Sequence, residues 1–271
     1  MNTMKMLKNA IIRNDIGTMV QIVKDSHGKP MALLAIETAF KLKRTNVCLS
    51  ILELKPRCKY IYERGMHLAC RYGNLVVIKY LLDNFDKSVL NINKAAQVAS
   101  LKGHFEIVEY LVEKVGGINL GNCLPFAAEG NNNELIKYLV NKGADISVKK
   151  YASYRIAVKK SNLTAVKLLV GKGADIRADC DYAVKYCIKN NNIPMLICLI
   201  SVGNTVYNID PKIVPEIIYQ CMIKKYYFVA LRLLKHYNVD DPRVKGIECL
   251  IDGLNNNLSS KNYNDITIYY D

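Results

Sequence analysis

The residues that most often act as nucleophiles, proton carriers or metal ligands are dispersed along this sequence. His27 and His236 have no histidine or cysteine nearby at the spacing of a zinc site. The nine cysteines occur singly, without a CxxC pair. The phosphate-binding motifs GxxxxGK[ST] and GxGxxG and the hydrolase motifs GxSxG and HExxH are absent. We therefore predict no catalytic residue, no cofactor and no metal site, and we expect a protein that is not an enzyme.

Charge is the other property by which this chain could act on a partner. Its 38 Lys and Arg exceed its 24 Asp and Glu, which gives a net charge of +14. Such an excess favours an acidic protein face, a nucleic acid or an anionic membrane as the partner. The lysines have a second explanation in composition, because a chain rich in Lys, Asn, Ile and Tyr is typical of an A/T-rich genome. Both explanations stay open at this point.

The distribution of cysteine and of apolar residues predicts the compartment. An odd number of scattered cysteines is typical of a reducing compartment. No run reaches the roughly 18 apolar residues of a membrane span. Residues 1–15 lack the unbroken apolar core of a signal peptide. We expect an intracellular protein that is neither secreted nor bound to a membrane.

A repeat of about 30 residues must position the charged side chains. The sequence NKGADI at 141–146 returns as GKGADI at 171–176. A wider pattern surrounds them, in which a turn residue follows a small residue by four and precedes apolar residues by five and eight. We call the turn residue the turn position. The turn positions lie at residues 14, 43, 73, 103, 131, 161, 191 and 225.

The pattern predicts two short helices joined at the turn position. Gly or Asn there tolerates the left-handed backbone of a helix exit. The next residue can cap the second helix, as we expect for Asn74, Asn132, Asn162 and Asn192 and also for His104. In the NKGADI sequence, the glycine should end the second helix, the aspartate should bond the turn backbone and the isoleucine should face the core.

One such piece cannot bury its own apolar face, but stacked neighbours can. We therefore predict an all-α solenoid of about eight helix-turn-helix repeats over residues 1–240. Residues 241–271 leave the pattern, and there we expect a C-terminal cap helix and a loose tail. Cys187 and Cys221 hold the small-residue position and should pack in the core. Cys180 should be exposed in a loop between repeats.

Three sequence segments resemble ankyrin repeats. RGMHLA at 64–69 resembles the TPLHLA region of that family, and GHFEIVEYLVEK at 103–114 and NKGADI resemble its second half. The repeats are about three residues shorter than is usual in the family. In this they resemble the ankyrin proteins of giant DNA viruses such as mimivirus, which implies a viral protein acting in host cytoplasm or nucleus. The resemblance also implies that His67 bonds the loop of an adjacent repeat.

The resemblance implies that partners bind the finger loops between repeats and the last exposed residues of each first helix, on a concave face. In this sequence those positions are mostly basic, with tyrosines among them. The candidate partner-binding residues are Arg71, Tyr72, Lys102, Lys149, Lys150, Tyr151, Lys159, Lys160, Arg177 and Lys189.

This basic face suits an acidic protein partner, which we expect a monomeric scaffold to bind. A phosphate backbone is the second interpretation, which would make the chain a nucleic-acid-binding solenoid. A third is an adaptor for a ubiquitin ligase, although the tail shows no clear F-box-like pattern.

Overall fold

The computed structural model describes residues 2–25, 29–54, 59–201 and 211–223, together with residues 230, 233, 234, 237 and 239. The turn position at Lys225 and the segment 241–271, with its predicted cap helix and tail, lie outside the described residues. The chain forms two compact units, residues 1–156 (unit 1) and residues 157–271 (unit 2).

All regular structure in the described residues is helical. A π-helical turn, Leu111–Val115, continues α9, and a short 3-10 turn, Pro211–Ile213, precedes α16. The helices are α1 (Asn2–Arg13), α2 (Ile16–Asp25), α3 (Lys29–Lys41), α4 (Thr45–Glu53), α5 (Lys59–Tyr72), α6 (Leu75–Asn84), α7 (Lys87–Leu90), α8 (Ile92–Lys102), α9 (Phe105–Tyr110), α10 (Leu120–Glu129), α11 (Asn133–Asn141), α12 (Val148–Lys159), α13 (Leu163–Gly171), α14 (Ala178–Lys189), α15 (Ile193–Ser201) and α16 (Val214–Ile223).

The helices pair as first and second members of successive repeats. In unit 1 the first helices α1, α3, α5, α8 and α10 pack side by side in that order, and α2, α4 and α6 form a second row. In unit 2 the second helices α13 and α15 pack together, and α14 packs on α15. The predicted all-α helix-turn-helix solenoid is therefore confirmed.

The left-handed backbone predicted for Gly and Asn is present at every described turn position, including Lys43 and Ser161. Its φ lies between 55° and 75° at Asn14, Lys43, Gly73, Gly103, Asn131, Ser161 and Asn191. The N–H of the following residue returns to the carbonyl of the small residue. Asn74 N, for example, lies 2.9 Å from Ala69 O. This bond closes the end of each first helix.

The predicted asparagine caps are confirmed, whereas the predicted histidine cap is wrong. The Oδ1 atoms of Asn74, Asn132, Asn162 and Asn192 accept hydrogen bonds from backbone N–H groups three residues on. His104 also occupies an N-cap position, but its side chain makes no capping bond. Its Nε2 lies 3.2 Å from the carbonyl oxygen of Arg71 in the preceding repeat. The larger ring reaches the neighbouring helix end instead of its own.

The small residues and the apolar stripe form the core. Ala69, Ala99, Ala127, Ala157 and Cys187 are completely buried, which lets the first helices approach closely. The apolar residues five and eight after the turn positions are also buried, for example Ile136 and Leu139, except for Ile22, which is half-buried.

The NKGADI sequence builds the exit of a second helix, as predicted. Gly143 and Gly173 have φ of 87° and 94°. The Oδ1 of Asp145 accepts from Ser147 N at 2.8 Å, and that of Asp175 from Arg177 N at 2.9 Å. Ile176 is buried. The chain therefore reverses in the same way thirty residues apart.

Candidate interaction surface

The ten candidate residues all lie at the surface, nine of them exposed and Tyr151 half-buried. Six belong to unit 1 and four to unit 2. The unit 1 residues are Arg71, Tyr72, Lys102, Lys149, Lys150 and Tyr151. The unit 2 residues are Lys159, Lys160, Arg177 and Lys189.

In unit 1 the ends of two neighbouring helices hold three candidates. Arg71 and Tyr72 end α5, and Lys102 ends α8, which packs beside α5. The Tyr72 ring stacks on Phe40 of α3, with centroids 6.1 Å apart. The bond from His104 to the Arg71 carbonyl holds the helix end in place, while the Arg71 side chain stays exposed. The backbone is fixed here and the charged groups face solvent.

The other unit 1 candidates lie on a left-handed turn that the sequence did not predict. Lys149, Lys150 and Tyr151 have φ of 52°, 55° and 56°. A left-handed backbone costs an L-residue roughly 1–2 kcal/mol. Arg155 supports the turn, because its Nη2 donates to the Lys149 carbonyl at 3.0 Å and its Nε to the Lys150 carbonyl at 3.1 Å. The turn therefore exposes two lysines, and the guanidinium of Arg155 binds its backbone.

In unit 2 three candidates lie at the ends of two first helices. Lys159 ends α12, Lys160 follows it, and Lys189 ends α14. Asn192 Nδ2 donates to Ser161 Oγ at 2.7 Å, which joins the turns that follow these two helices. The three lysines are all exposed.

Arg177 has an acidic partner four residues further along the chain. Its Nε donates to Asp181 Oδ1 at 3.2 Å, and Asp181 is only 4% exposed. Asp179, Cys180 and Asp181 repeat the left-handed turn, with φ from 57° to 60°. This turn carries two carboxylates where the turn at 149–151 carries two lysines. Arg177 is therefore less available to a partner than the sequence suggested.

Sequence reasoning missed the apolar part of the unit 1 surface. Ile12 is 54% exposed and Leu42 42% exposed. Both lie one or two residues before a turn position, where the basic candidates lie in other repeats. Arg44 Nη2 donates to the Ile12 carbonyl at 3.1 Å and joins these two helix ends. The same offset that identified the lysines would have identified these residues.

The family resemblance implied that His67 bonds the loop of an adjacent repeat, but its Nδ1 makes no such bond. That atom is buried without a hydrogen-bond partner. Burial lowers the pKa of His67, and the nearby Arg64, Lys94 and Arg71 lower it further. These effects favour the neutral imidazole over the imidazolium.

The described cysteines behave as core residues, with one exception. Cys187 and Cys221 are completely buried, as predicted, and Cys180 is exposed. Burial raises the pKa of Cys187 to about 12 and the pKa values of Cys48 and Cys70 equally far. Such thiols carry almost no thiolate at neutral pH.

Metal-binding groups and membrane spans were sought in the same residues. Among the side chains that the structure describes, no three of His, Cys, Asp or Glu are grouped to hold a metal ion. Within the described ranges, every helix is too short or too polar to cross a bilayer.

Comparison with known proteins finds similarity across the middle of the chain. A family model described as ankyrin repeats (3 copies) matches residues 39–122 and 66–150. An ankyrin repeat protein of Acanthamoeba polyphaga mimivirus is 34% identical over 83 residues, which is 30% of this chain. The match covers 13% of that relative's length.

Proposed function

Because the chain is an ankyrin-repeat protein, we propose that it is a non-enzymatic scaffold that binds a protein partner with an acidic surface. Ankyrin repeats are typically protein–protein interaction scaffolds and are generally not catalytic. The observation that carries the proposal is the exposure of basic side chains at the ends of first helices in both units. Hydrogen bonds between repeats fix the backbone at or next to these helix ends.

The proposal includes a viral setting. The chain acts as a viral protein that engages a host or viral partner inside the host cell, in the cytoplasm or nucleus. Similarity to a mimivirus ankyrin repeat protein supports this part. The free thiols of the described cysteines are compatible with a reducing compartment.

A nucleic acid is the second candidate partner, and the net charge of +14 favours it. The unit 1 surface favours a protein instead, because Ile12, Leu42 and Tyr72 are exposed among the basic residues. Protein interfaces combine aromatic and apolar contacts with arginine. A phosphate backbone is bound chiefly through charge.

Affinity purification with mass spectrometry tests the proposal. We expect the wild-type chain to recover a protein with an acidic surface. The variant Lys159→Glu/Lys160→Glu/Lys189→Glu should lose it, mainly through slower association. The matched control is Lys137→Glu/Lys167→Glu/Lys172→Glu, which makes the same charge change at exposed lysines of second helices and their ends. The control should retain the partner.

Three outcomes would count against the proposal. Equal recovery by both triple variants would mean that the lysines at the first-helix ends are only solvated charge. Recovery that nuclease abolishes, with a log–log salt slope that flattens by about 0.9 for each phosphate contact removed, would indicate a nucleic acid. Recovery of cullin-complex members by all three chains would indicate a ubiquitin-ligase adaptor.

A further inference from the structure

The ends of three neighbouring first helices in unit 1 share one arrangement of side chains. α1, α3 and α5 pack side by side. Each ends with one exposed apolar and one exposed basic residue in adjacent positions. We call these residues the helix-end row, and they are Ile12 with Arg13, Lys41 with Leu42, and Arg71 with Tyr72. Exposed apolar side chains that recur in this way among polar ones are typical of an interaction site.

Contacts between repeats hold these helix ends together. Arg44 Nη2 donates to the Ile12 carbonyl at 3.1 Å, which joins the end of α1 to the turn after α3. The Tyr72 ring at the end of α5 stacks on Phe40 of α3, with centroids 6.1 Å apart. A partner therefore meets a backbone that is already in place, which lowers the entropy cost of binding.

The row carries positive charge that the neighbouring acids do not neutralise. Within the described residues of unit 1, Lys41 and Arg71 form no ion pair. Asp15 attracts Arg13 and offsets part of its charge. α8 packs beside α5 and adds Lys102 at its own end. Apolar side chains interleaved with cations are complementary to a segment that carries apolar and acidic side chains.

The spacing of the helices selects the conformation of that segment. The axes of packed helices lie about 8–10 Å apart. A polyproline II segment has three residues per turn and rises about 3.1 Å per residue, so every third side chain faces the same way about 9 Å further on. One turn of such a segment therefore matches one step from α1 to α3 or from α3 to α5. A helical segment needs a continuous apolar groove, and here cations interrupt the apolar side chains.

From this match we propose that the helix-end row binds an extended segment of the partner, in which one apolar and one acidic residue recur every three residues. Ile12, Leu42 and Tyr72 each contact one apolar side chain of the segment, and the adjacent cations attract its carboxylates. The arrangement does not continue on α10, which ends in Glu129, so the segment spans about nine residues. The inference rests on the proposed function, since it names the kind of acidic partner that unit 1 receives.

A designed peptide tests the row without knowledge of the partner. The probe is a fluorescent peptide of three Glu-Leu-Pro units with blocked ends, because proline favours polyproline II and excludes a helix. One control peptide replaces each Glu with Gln, and a second replaces each Leu with Ser. A third control adds one proline to each unit and so changes the period. By fluorescence anisotropy with the full chain, we expect the probe to bind about tenfold more tightly than each control.

Substitutions of the apolar residues in the row should weaken binding of the probe. Ile12→Gln/Leu42→Gln removes two apolar contacts, and we expect roughly tenfold weaker binding. The matched control is Val76→Gln/Leu163→Gln, which makes the same kind of change at exposed apolar residues of second helices. The control should bind the probe like the wild-type chain.

Substitutions of the cations should also weaken binding, and they should change its response to salt. Lys41→Gln/Arg71→Gln should lower affinity several-fold at low salt and reduce the effect of added salt, which screens charge. Lys137→Gln/Lys167→Gln makes the same charge change on α11 and α13 and should leave affinity unchanged. Circular dichroism checks that each variant folds.

The results that would overturn the row differ from those that would overturn the proposed function. Equal binding of the probe and the peptide of altered period would show that the helix spacing selects nothing. Equal losses in the row variants and their controls, or no binding to the folded wild-type chain, would also refute the row. If the acidic partner binds both row variants with unchanged affinity but not the triple lysine variant of unit 2, the row is wrong and the scaffold function stands.

Discussion

The side chain of Asn192 joins two consecutive repeats of unit 2 through Ser161. Its Nδ2 donates to Ser161 Oγ at 2.7 Å, while its Oδ1 accepts from Met195 N at 3.3 Å. Ser161 is itself a left-handed turn position, with φ of 58°. One amide therefore caps its own helix and rests on the exit of the preceding one. In unit 1, Asn74 caps α6 in the same way, and its Nδ2 donates to Oγ1 of Thr45, the first residue of α4, at 2.8 Å.

Two substitutions of Asn192 should separate the stability that comes from the helix cap from the stability that comes from the inter-repeat bond. Asn192→Ala removes the cap, which contributes about 1 kcal/mol, and also the inter-repeat bond, which contributes another 1 kcal/mol or so. Asn192→Ser keeps a capping oxygen but is too short to reach Ser161, so it should lose about half as much. Chemical denaturation measures both variants. Equal losses for the two would mean that the inter-repeat bond contributes nothing to stability.

Gly130 should be intolerant of a side chain because a neighbouring repeat lies against it. A Cβ added there would lie 2.3 Å from the backbone oxygen of Leu101. Gly130→Ala should therefore destabilise the protein by about 1–3 kcal/mol, as overpacking does. Gly171 has open space around it, and Gly171→Ala should stabilise by about 0.4–1 kcal/mol through the unfolded chain. Thermal unfolding should show the two midpoints moving in opposite directions, and a shared direction would contradict the packing.

The left-handed turn at 149–151 should accept glycine. Lys150→Gly relieves roughly 1–2 kcal/mol of backbone strain and loses a similar amount to greater freedom in the unfolded chain. We expect the free energy of unfolding to change by less than about 0.5 kcal/mol. Lys137→Gly, in the middle of α11, should cost about 1 kcal/mol. Equal losses from the two substitutions in urea denaturation would show that residue 150 is not left-handed in solution.

The cysteines should react with alkylating reagents in order of exposure. At pH 8 we expect iodoacetamide to modify Cys180 quickly and Cys48, Cys70 and Cys187 slowly. The slow thiols are buried, and burial raises their pKa values to about 12, so little thiolate forms below pH 10. Mass spectrometry at timed intervals gives the order. Denaturant should equalise the rates, and a fast reaction of native Cys187 would contradict its place in the core.

The turns between paired helices were predictable from the sequence because their chemistry is local. Glycine and asparagine indicate a left-handed exit, and asparagine one residue later indicates a cap. Lys43 and Ser161 have no such preference, yet they are left-handed because the register of their neighbours requires it. His104 was wrongly predicted to cap its helix, because sequence spacing does not show that its ring can reach the Arg71 carbonyl.

The candidate site was less predictable, because its geometry depends on contacts between repeats. KKY contains no residue that favours a left-handed backbone, and the two aspartates of DCD favour one only weakly. The pair of Arg177 with Asp181 has helical spacing and could have been found from the sequence. The stacking of Tyr72 on Phe40 could not, since Phe40 belongs to the preceding repeat. Offsets from a turn position identify surface residues but not their partners.

The junction made by Asn192 and Ser161 bears on how such a chain can grow. Asn192 precedes a second helix, and Ser161 lies at the exit of the preceding first helix. An in-frame duplication of one 30-residue segment in the gene would therefore supply both members at the new joint. Arg44 and His104 reach backbone carbonyls, which every residue provides, and so they would tolerate any neighbour. Recombination could therefore change the number of repeats, and with it the length of the charged surface. No new kind of contact between repeats would be needed.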